Sequence, residues 1–237
     1  MTELIVALDK DSLSDALDIV DLAGDSVTWY KIGSQLFCKE GPSAVKALKE
    51  KGKKVFLDLK FHDIPNTVAN AVANGIAMGA DMINVHASGG REMMQRAVEA
   101  GVKAAPQGSS PIIIAVTILT SMNQDALEEA LNKKECYPVD QVKYLAKLAK
   151  SSGMNGVVCS AHEIDILKES CGDDFVLVVP GIRPRGASVG DQKRVMTPFE
   201  ASKKGADYIV VGRPVLQAEN PASAAKAIKE ELAQGAI

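Results

Sequence analysis

A closed barrel of eight parallel strands, each followed by a helix, is the fold that this sequence predicts. Three observations predict it. Eight short β-rich runs recur along the chain with helical segments between them. That alternation calls for a parallel sheet, because parallel neighbours need a crossover long enough to hold a helix. Eight such units in 237 residues match the size of a (β/α)8 TIM barrel, and no linker, low-complexity tract or break in composition divides the chain. An α/β fold with an open, doubly wound sheet is the alternative. No G-x-G-x-x-G follows the first strand, which argues against its dinucleotide-binding form. We therefore expect a single barrel domain over residues 1–237.

Taken in order, the first strand is Leu4 to Asp9, an apolar run ending in a carboxylate. Ser12-Leu13-Ser14-Asp15 then opens a helix, with Leu13, Ala16, Leu17, Val20 and Leu22 as its apolar side. Thr28 to Gly33 is the second strand and carries Lys31. Lys54 to Lys60 is the third; Asp63, Pro65 and an alanine-rich helix beginning at Asn66-Thr67-Val68-Ala69 follow it. The fourth is Met82 to Ala87, the fifth Ile112 to Leu119, the sixth Gly156 to Ala161, the seventh Phe175 to Ile182 and the eighth Tyr208 to Arg213. Gly79-Ala80-Asp81 and Gly205-Ala206-Asp207 both stand between a helix and a strand, where glycine can end the helix in left-handed geometry. Their likeness supports repeated βα units.

Composition narrows the functional classes. With 46% apolar residues, 24% charged residues and a formal charge of -3, the chain has the balance of an ordinary globular protein and no global attraction to nucleic acid or anionic lipid. We expect no nucleic-acid partner and no membrane partner. The first residues lack the basic region and apolar core of a signal peptide, and no apolar stretch approaches a membrane span, so a cytoplasmic location is expected. Cys38, Cys136, Cys159 and Cys171 have no paired spacing for zinc or dithiol chemistry and read as reduced, structural thiols. His62 and His86 could share a site, although hydrogen-bonded structural imidazoles are the simpler reading. No metal site and no cofactor are expected.

The most informative segment is Asp58-Leu59-Lys60-Phe61-His62-Asp63. Side chains alternate along a strand, so Asp58 and Lys60 face the same way with Cα atoms roughly 6.6 Å apart. Asp63 arrives just past the strand, which leaves a lysine between two carboxylates. A structural ion pair closing the strand is the competing reading. In a barrel of this kind the active site lies at the C-terminal ends of the strands. Asp9, Lys31, Asp58, Lys60, His86, Thr120, Ser121 and Arg213 all fall there. A barrel built for stability alone would put mostly branched apolar residues at those inward positions.

A second cluster follows strands seven and eight, where barrels often bind phosphate. Val179-Pro180-Gly181-Ile182-Arg183 and Val211-Gly212-Arg213-Pro214 combine glycines that let backbone N–H groups approach an anion with arginines whose planar fork matches phosphate. Two ordinary turns are the alternative. Arg183 to Val195 is long and polar, with Arg185, Gln192, Lys193 and Arg194, and reads as a lid over a phosphorylated ligand.

These motifs, with Val6-Ala7-Leu8-Asp9, Tyr30-Lys31-Ile32-Gly33, Asp58 to Thr67 and Leu119-Thr120-Ser121, closely resemble those of the bacterial orotidine 5'-phosphate decarboxylases. The likeness runs in order through nearly the whole chain, and its D-x-K-x-x-D-I-P-N-T run is highly specific. It implies a homodimeric barrel that converts orotidine 5'-monophosphate to UMP and CO₂ without metal or organic cofactor. It further implies Lys60 as proton donor, Asp58 as the carboxylate facing that of the substrate, and Asp63 with Thr67 as residues reaching a neighbouring subunit's site. Asp9 and Lys31 are implied at the ribose and in the charge network, Thr120 and Ser121 by the pyrimidine, Pro180 at the substrate, and Gln192 between base and phosphate. Arg183, Gly212 and Arg213 are implied around the phosphate.

Three other readings compete. Sugar-phosphate decarboxylases and hexulose-phosphate synthases share D-x-K-x-x-D, but the resemblance puts a metal-binding glutamate of theirs where this chain has Lys31, a poor ligand while protonated. A Schiff-base aldolase would need Lys60 to deprotonate easily, and flanking carboxylates oppose that. A phosphate-sensing barrel without catalysis has no use for Asp58, Lys60 and Asp63.

Overall fold

The computed structural model describes residues 1–185 and 196–236. Its strands are β1 (Glu3–Ala7), β2 (Trp29–Gly33), β3 (Lys54–Phe61), β4 (Met82–His86), β5 (Ile112–Val116), β6 (Gly156–Val158), β7 (Val176–Pro180) and β8 (Tyr208–Val211). They pair in parallel in chain order, and β8 closes onto β1, so the (β/α)8 barrel expected from the alternation is formed. The helices between them are α1 (Leu13–Ala23), α2 (Ser34–Glu40), α3 (Pro42–Glu50), α4 (Pro65–Ala77), α5 (Gly90–Ala104), α6 (Gln124–Leu131), α7 (Pro138–Ser151), α8 (Ile164–Cys171), α9 (Pro198–Lys203), α10 (Arg213–Leu216) and α11 (Pro221–Gly235).

Strand alternation divides the apolar residues between two cores. Leu4 and Val6 of β1 join the large core that also takes the buried helix faces, whereas Ile5 and Ala7 join a smaller one with Trp29, Phe56, Met82, Ile114, Val178 and Val210. That smaller cluster lines the inside of the barrel. Two residues further along the same side, β2 offers Lys31, β3 Asp58 and β4 Asn84, so an apolar plug is capped by a polar layer. Within the plug, Tyr208 meets Trp29 edge-on at 5.4 Å, and the Lys54 ammonium lies 5.2 Å from the Trp29 ring centre.

The structure corrects several boundaries. β1 stops at Ala7, β5 at Val116, β6 at Val158, β7 at Pro180 and β8 at Val211, each two or three residues short of the end expected from the sequence. The ladder ends once the chain turns outward. A 3-10 turn takes over at Ala161, and Arg213 opens α10, where Pro214 has no N–H to give to a sheet. In α1 the Ser12 hydroxyl accepts from the Asp15 N–H as an N-cap, but Leu22 is 61% exposed. Ile19 and Ala23 take its place in the core, because two residues along a helix turn a side chain through about 200°.

The glycines between helix and strand do take positive φ: 105° at Gly79 and 91° at Gly205, with 85° at Gly153 in a third copy of the same piece. Each is followed two residues later by a side chain that accepts a strand N–H. Asp81 takes that of Val55 at 2.8 Å, Asn155 that of Ile113 at 2.7 Å and Asp207 that of Leu177 at 2.8 Å. These clips stand at the N-terminal ends of the strands and tie β4 to β3, β6 to β5 and β8 to β7.

Candidate active site

At the opposite end, four charged residues from β2, β3 and the turn after β1 form a chain of ion pairs. The Lys31 ammonium lies 3.1 Å from Asp9 Oδ1 and 3.4 Å from Asp58 Oδ2, and the Lys60 ammonium lies 2.6 Å from Asp58 Oδ1. Lys31 and Asp58 are each only 9% exposed. Burial alone would raise the Asp58 pKa, but Lys31 and Lys60 more than offset it, helped by hydrogen bonds from Lys60 and Asn84, and hold the carboxyl below its ordinary value. A buried carboxylate kept ionised between two amines is a fixed negative charge with positive charge on either side.

Glycine makes room for this arrangement at Gly33, where a Cβ would fall 2.9 Å from Lys31 Nζ. Any larger residue there would push on the ammonium. Neither Gly33 nor Asn84 was singled out from the sequence. Asn84 is fully buried on β4, and its side-chain amide donates to Asp58 Oδ1 at 2.7 Å. The signal was present: a polar residue within the apolar run Met82-Ile83-Asn84-Val85 must find buried partners.

Lys60 is reached by an irregular backbone rather than by simple alternation. Leu57 pairs with Ile83 and the next register pair is Phe61 with Val85, so β3 uses four residues where β4 uses two. Within this slip Lys60 has φ 52°, a conformation rare outside glycine. Asp63 does not provide the second clamp expected from its position. It is exposed, accepts from the N–H of Ile64 at 2.6 Å, and makes no ion pair with Lys60 among the described residues. The corner before Pro65 turns its carboxylate onto the neighbouring N–H of Ile64, the residue that precedes α4. Thr67 lies exposed in the first turn of that helix.

His62 and His86 do come together, with ring centres 5.5 Å apart. Burial, then the charges of His62 and Lys60, lower the His86 pKa, with Asp58 acting the other way. Among the described residues no three His, Cys, Asp or Glu side chains are grouped as a metal site, and the four thiols are free. Thr120 and Ser121 lie in the turn region after β5, outside the ion-pair chain.

Beside the charged layer is a cavity of about 480 Å³, whose lining includes Asp9, Lys31, Pro180, Arg183, Gly212 and Arg213. It thus joins the ends of β1 and β2 to those of β7 and β8. Gly181 has φ 78°, and the buried Arg183 is tied down by its N–H donating to Met196 O at 3.0 Å and its Nη1 to Ile182 O at 3.0 Å. Arg213 is exposed at the first position of α10. Gln192 and most of the segment read as a lid lie outside the described residues.

A barrel whose C-terminal mouth carries buried lysine–carboxylate chemistry next to an arginine-lined cavity belongs to the class of TIM-barrel enzymes that act on small anionic substrates. Comparison with known proteins refines that class. The model of the orotidine 5'-phosphate decarboxylase / HUMPS family matches residues 2–228, and the chain belongs to this family. The orotidine 5'-phosphate decarboxylase of Aliivibrio fischeri is 51% identical over 232 residues, covering 98% of this chain and 97% of that one. That of Trichlorobacter lovleyi is 47% identical over 234 residues, covering 98% and 96%. The crystal structure of orotidine 5'-phosphate decarboxylase from Lactobacillus acidophilus superposes with a TM-score of 0.88 at 40% identity, over 98% of this chain and 99% of that one.

Proposed function

We propose that this protein decarboxylates orotidine 5'-monophosphate to UMP and CO₂, the last step of de novo pyrimidine synthesis, without a metal or organic cofactor. One observation carries the reading: the Lys31–Asp58–Lys60 ion chain, with Lys31 and Asp58 buried and Lys60 half-buried at the mouth of a barrel of this family. Loss of CO₂ leaves a carbanion at C6 of the pyrimidine, in the plane of the ring and unable to delocalise into its π system. The site must therefore stabilise localised negative charge and then protonate it. The Lys60 ammonium does both, as a nearby cation and as the proton source.

Asp58 opposes the substrate carboxylate. Two like charges 4 Å apart repel by about 4 kcal/mol at an effective dielectric near 20, and departure of CO₂ relieves that repulsion. Asp9 and Lys31 hold the ribose, Lys31 together with Lys60 keeps Asp58 ionised, Thr120 and Ser121 border the base, and Pro180 lies against the substrate. Arg183, Gly212 and Arg213 take the phosphate and Gln192 bridges it to the base. Binding of that remote dianion orders the site around the reacting carbon.

In this reading the working unit is a cytoplasmic homodimer, in which Asp63 and Thr67 complete the site of the partner subunit. Their exposure on the β3–α4 corner supports it, and no helix among the described residues is long and apolar enough to cross a membrane. Mixing two inactive variants, Lys60→Ala and Asp63→Asn, should then restore activity, since one of the two sites in each hybrid would be intact. Failure of complementation would remove the shared site.

The direct test follows the near-ultraviolet absorbance of orotidine 5'-monophosphate with purified protein in buffer containing EDTA. Steady turnover is expected. No turnover, or turnover only after Mg²⁺ is restored, would overturn the reading and favour the metal-dependent sugar-phosphate branch of the family.

A further inference from the structure

The slip between β3 and β4 leaves the Lys60 N–H without a ladder partner, and Asn84 supplies one: its Oδ1 accepts from Lys60 N at 2.8 Å. The other end of the same amide donates to Asp58 Oδ1 at 2.7 Å. The orientation of the amide is not a free choice, because a backbone N–H can only donate and an ionised carboxylate can only accept. One planar, fully buried group therefore fixes the Lys60 backbone relative to the Asp58 carboxylate.

Both ends of that bridge are places where the chain would otherwise relax. Lys60 at φ 52° occupies a region that side-chain-bearing residues rarely adopt, and an unpartnered N–H there would be free to leave it. Asp58 Oδ1 accepts from Asn84 and from Lys60 Nζ at 2.6 Å, while Oδ2 faces Lys31 at 3.4 Å. Asn84 is the neutral donor that tells the two oxygens apart. Without it the carboxylate could rotate to share both oxygens with one amine.

We propose that Asn84 is a positioning residue for the decarboxylation. It holds Lys60 in its left-handed backbone conformation and sets the rotation of Asp58, so that the paired ammonium and carboxylate keep their places beside the reacting carbon. It needs no contact with substrate to do so. The inference deepens the decarboxylase reading and rests on it.

Asn84→Ala and Asn84→Asp separate positioning from simple support of the fold. The groups facing position 84 are Asp58 and Lys60 from β3 and Lys31 from β2, with Asp9 beyond β1, His86 on β4 itself and His62 past β3. All of these are equally present in the wild type, so the ratio of variant to wild-type kcat isolates position 84. Asn84→Ala should lower kcat on the order of 10²-fold, as displacement of reacting groups by about 1 Å does, with UMP affinity nearly unchanged.

Asn84→Asp keeps the acceptor for Lys60 but, when ionised, sets a carboxylate against Asp58. Once protonated it can donate an O–H in place of the amide N–H, so its deficit should shrink as pH falls. A kcat for Asn84→Ala equal to wild type would overturn the inference. So would a deficit in Asn84→Asp that is flat with pH, or one matched by an equal loss of UMP affinity. Should Asn84→Ala not fold, the pH profile of Asn84→Asp decides alone. Failure of the wild type to turn over substrate would instead remove the decarboxylase reading itself.

Discussion

The two ends of this barrel use the same polar residue types to opposite effect. At the N-terminal end Asp81, Asn155 and Asp207 each exchange two hydrogen bonds with one residue of the preceding strand: the side chain accepts the N–H, and the backbone N–H donates to the C=O at 2.9, 2.9 and 3.1 Å. The positive φ that the turn requires falls on glycine each time, and Lys49 and Lys168 neutralise two of the clips. At the C-terminal end the positive φ falls on Lys60, the ladder is broken, and carboxylates are paired with lysines inside the barrel. Satisfied, repeated geometry at one end and irregular, charged geometry at the other is the division expected when one face supplies stability and the other chemistry.

The comparison breaks first at Lys60. Lys60→Ala should reduce decarboxylation by about 10⁴-fold or more, since it removes both a charge at the carbanion and the proton donor, with circular dichroism and the unfolding midpoint close to wild type. Substantial residual turnover would show that the mouth is not organised around this amine. Arg213→Ala comes next: loss of a charged phosphate contact should lower kcat/KM by about 10²-fold or more, again with the fold intact. Near-wild-type kinetics would detach the arginine-lined cavity from the phosphate.

How much of this contrast was legible in the sequence follows from which interactions are local. The eight runs and their crossovers were readable because alternation of strand and helix depends on neighbouring residues, and the two-residue spacing of Asp58 and Lys60 placed their pair correctly. The slip between Leu57 and Phe61 was not readable, because register is set by β4, which is distant in sequence. Asn84 was passed over for the same reason: its partners, Asp58 and the Lys60 N–H, lie on another strand. Nearness along the chain also misled, since Asp63 follows Lys60 closely yet turns outward, and Leu22 falls on the solvent side of an amphipathic helix.

At the floor a stability effect without a catalytic one is expected. Asp207→Ala leaves the Leu177 N–H without its side-chain acceptor and the Lys168 ammonium without its carboxylate, with only the Asp173 carbonyl to donate to, which should cost about 1–3 kcal/mol in urea unfolding. Asn155→Ala, whose clip carries no lysine, should fall near the lower end of that range. In both, kcat/KM of the folded enzyme should match wild type. A kinetic defect larger than the loss of folded protein would show that the two ends are coupled.

The smallest expected effect concerns acid. Asp58 has a folded pKa held below that of the unfolded chain, where a carboxyl titrates near 3.9. The stabilisation linked to that shift is therefore complete above the unfolded value and disappears as pH falls through the folded one. The difference in unfolding free energy between wild type and Asp58→Asn should stay constant from about pH 7 to pH 5 and narrow only in stronger acid. Its absolute size at neutral pH can be modest, because the desolvation of a buried ion pair consumes much of its attraction. If the difference instead changes between pH 7 and 5, the charge on Asp58 is not being held by Lys31 and Lys60. The electrostatic half of the contrast between the two ends would then have to be redrawn around the imidazole of His86 beside the pair.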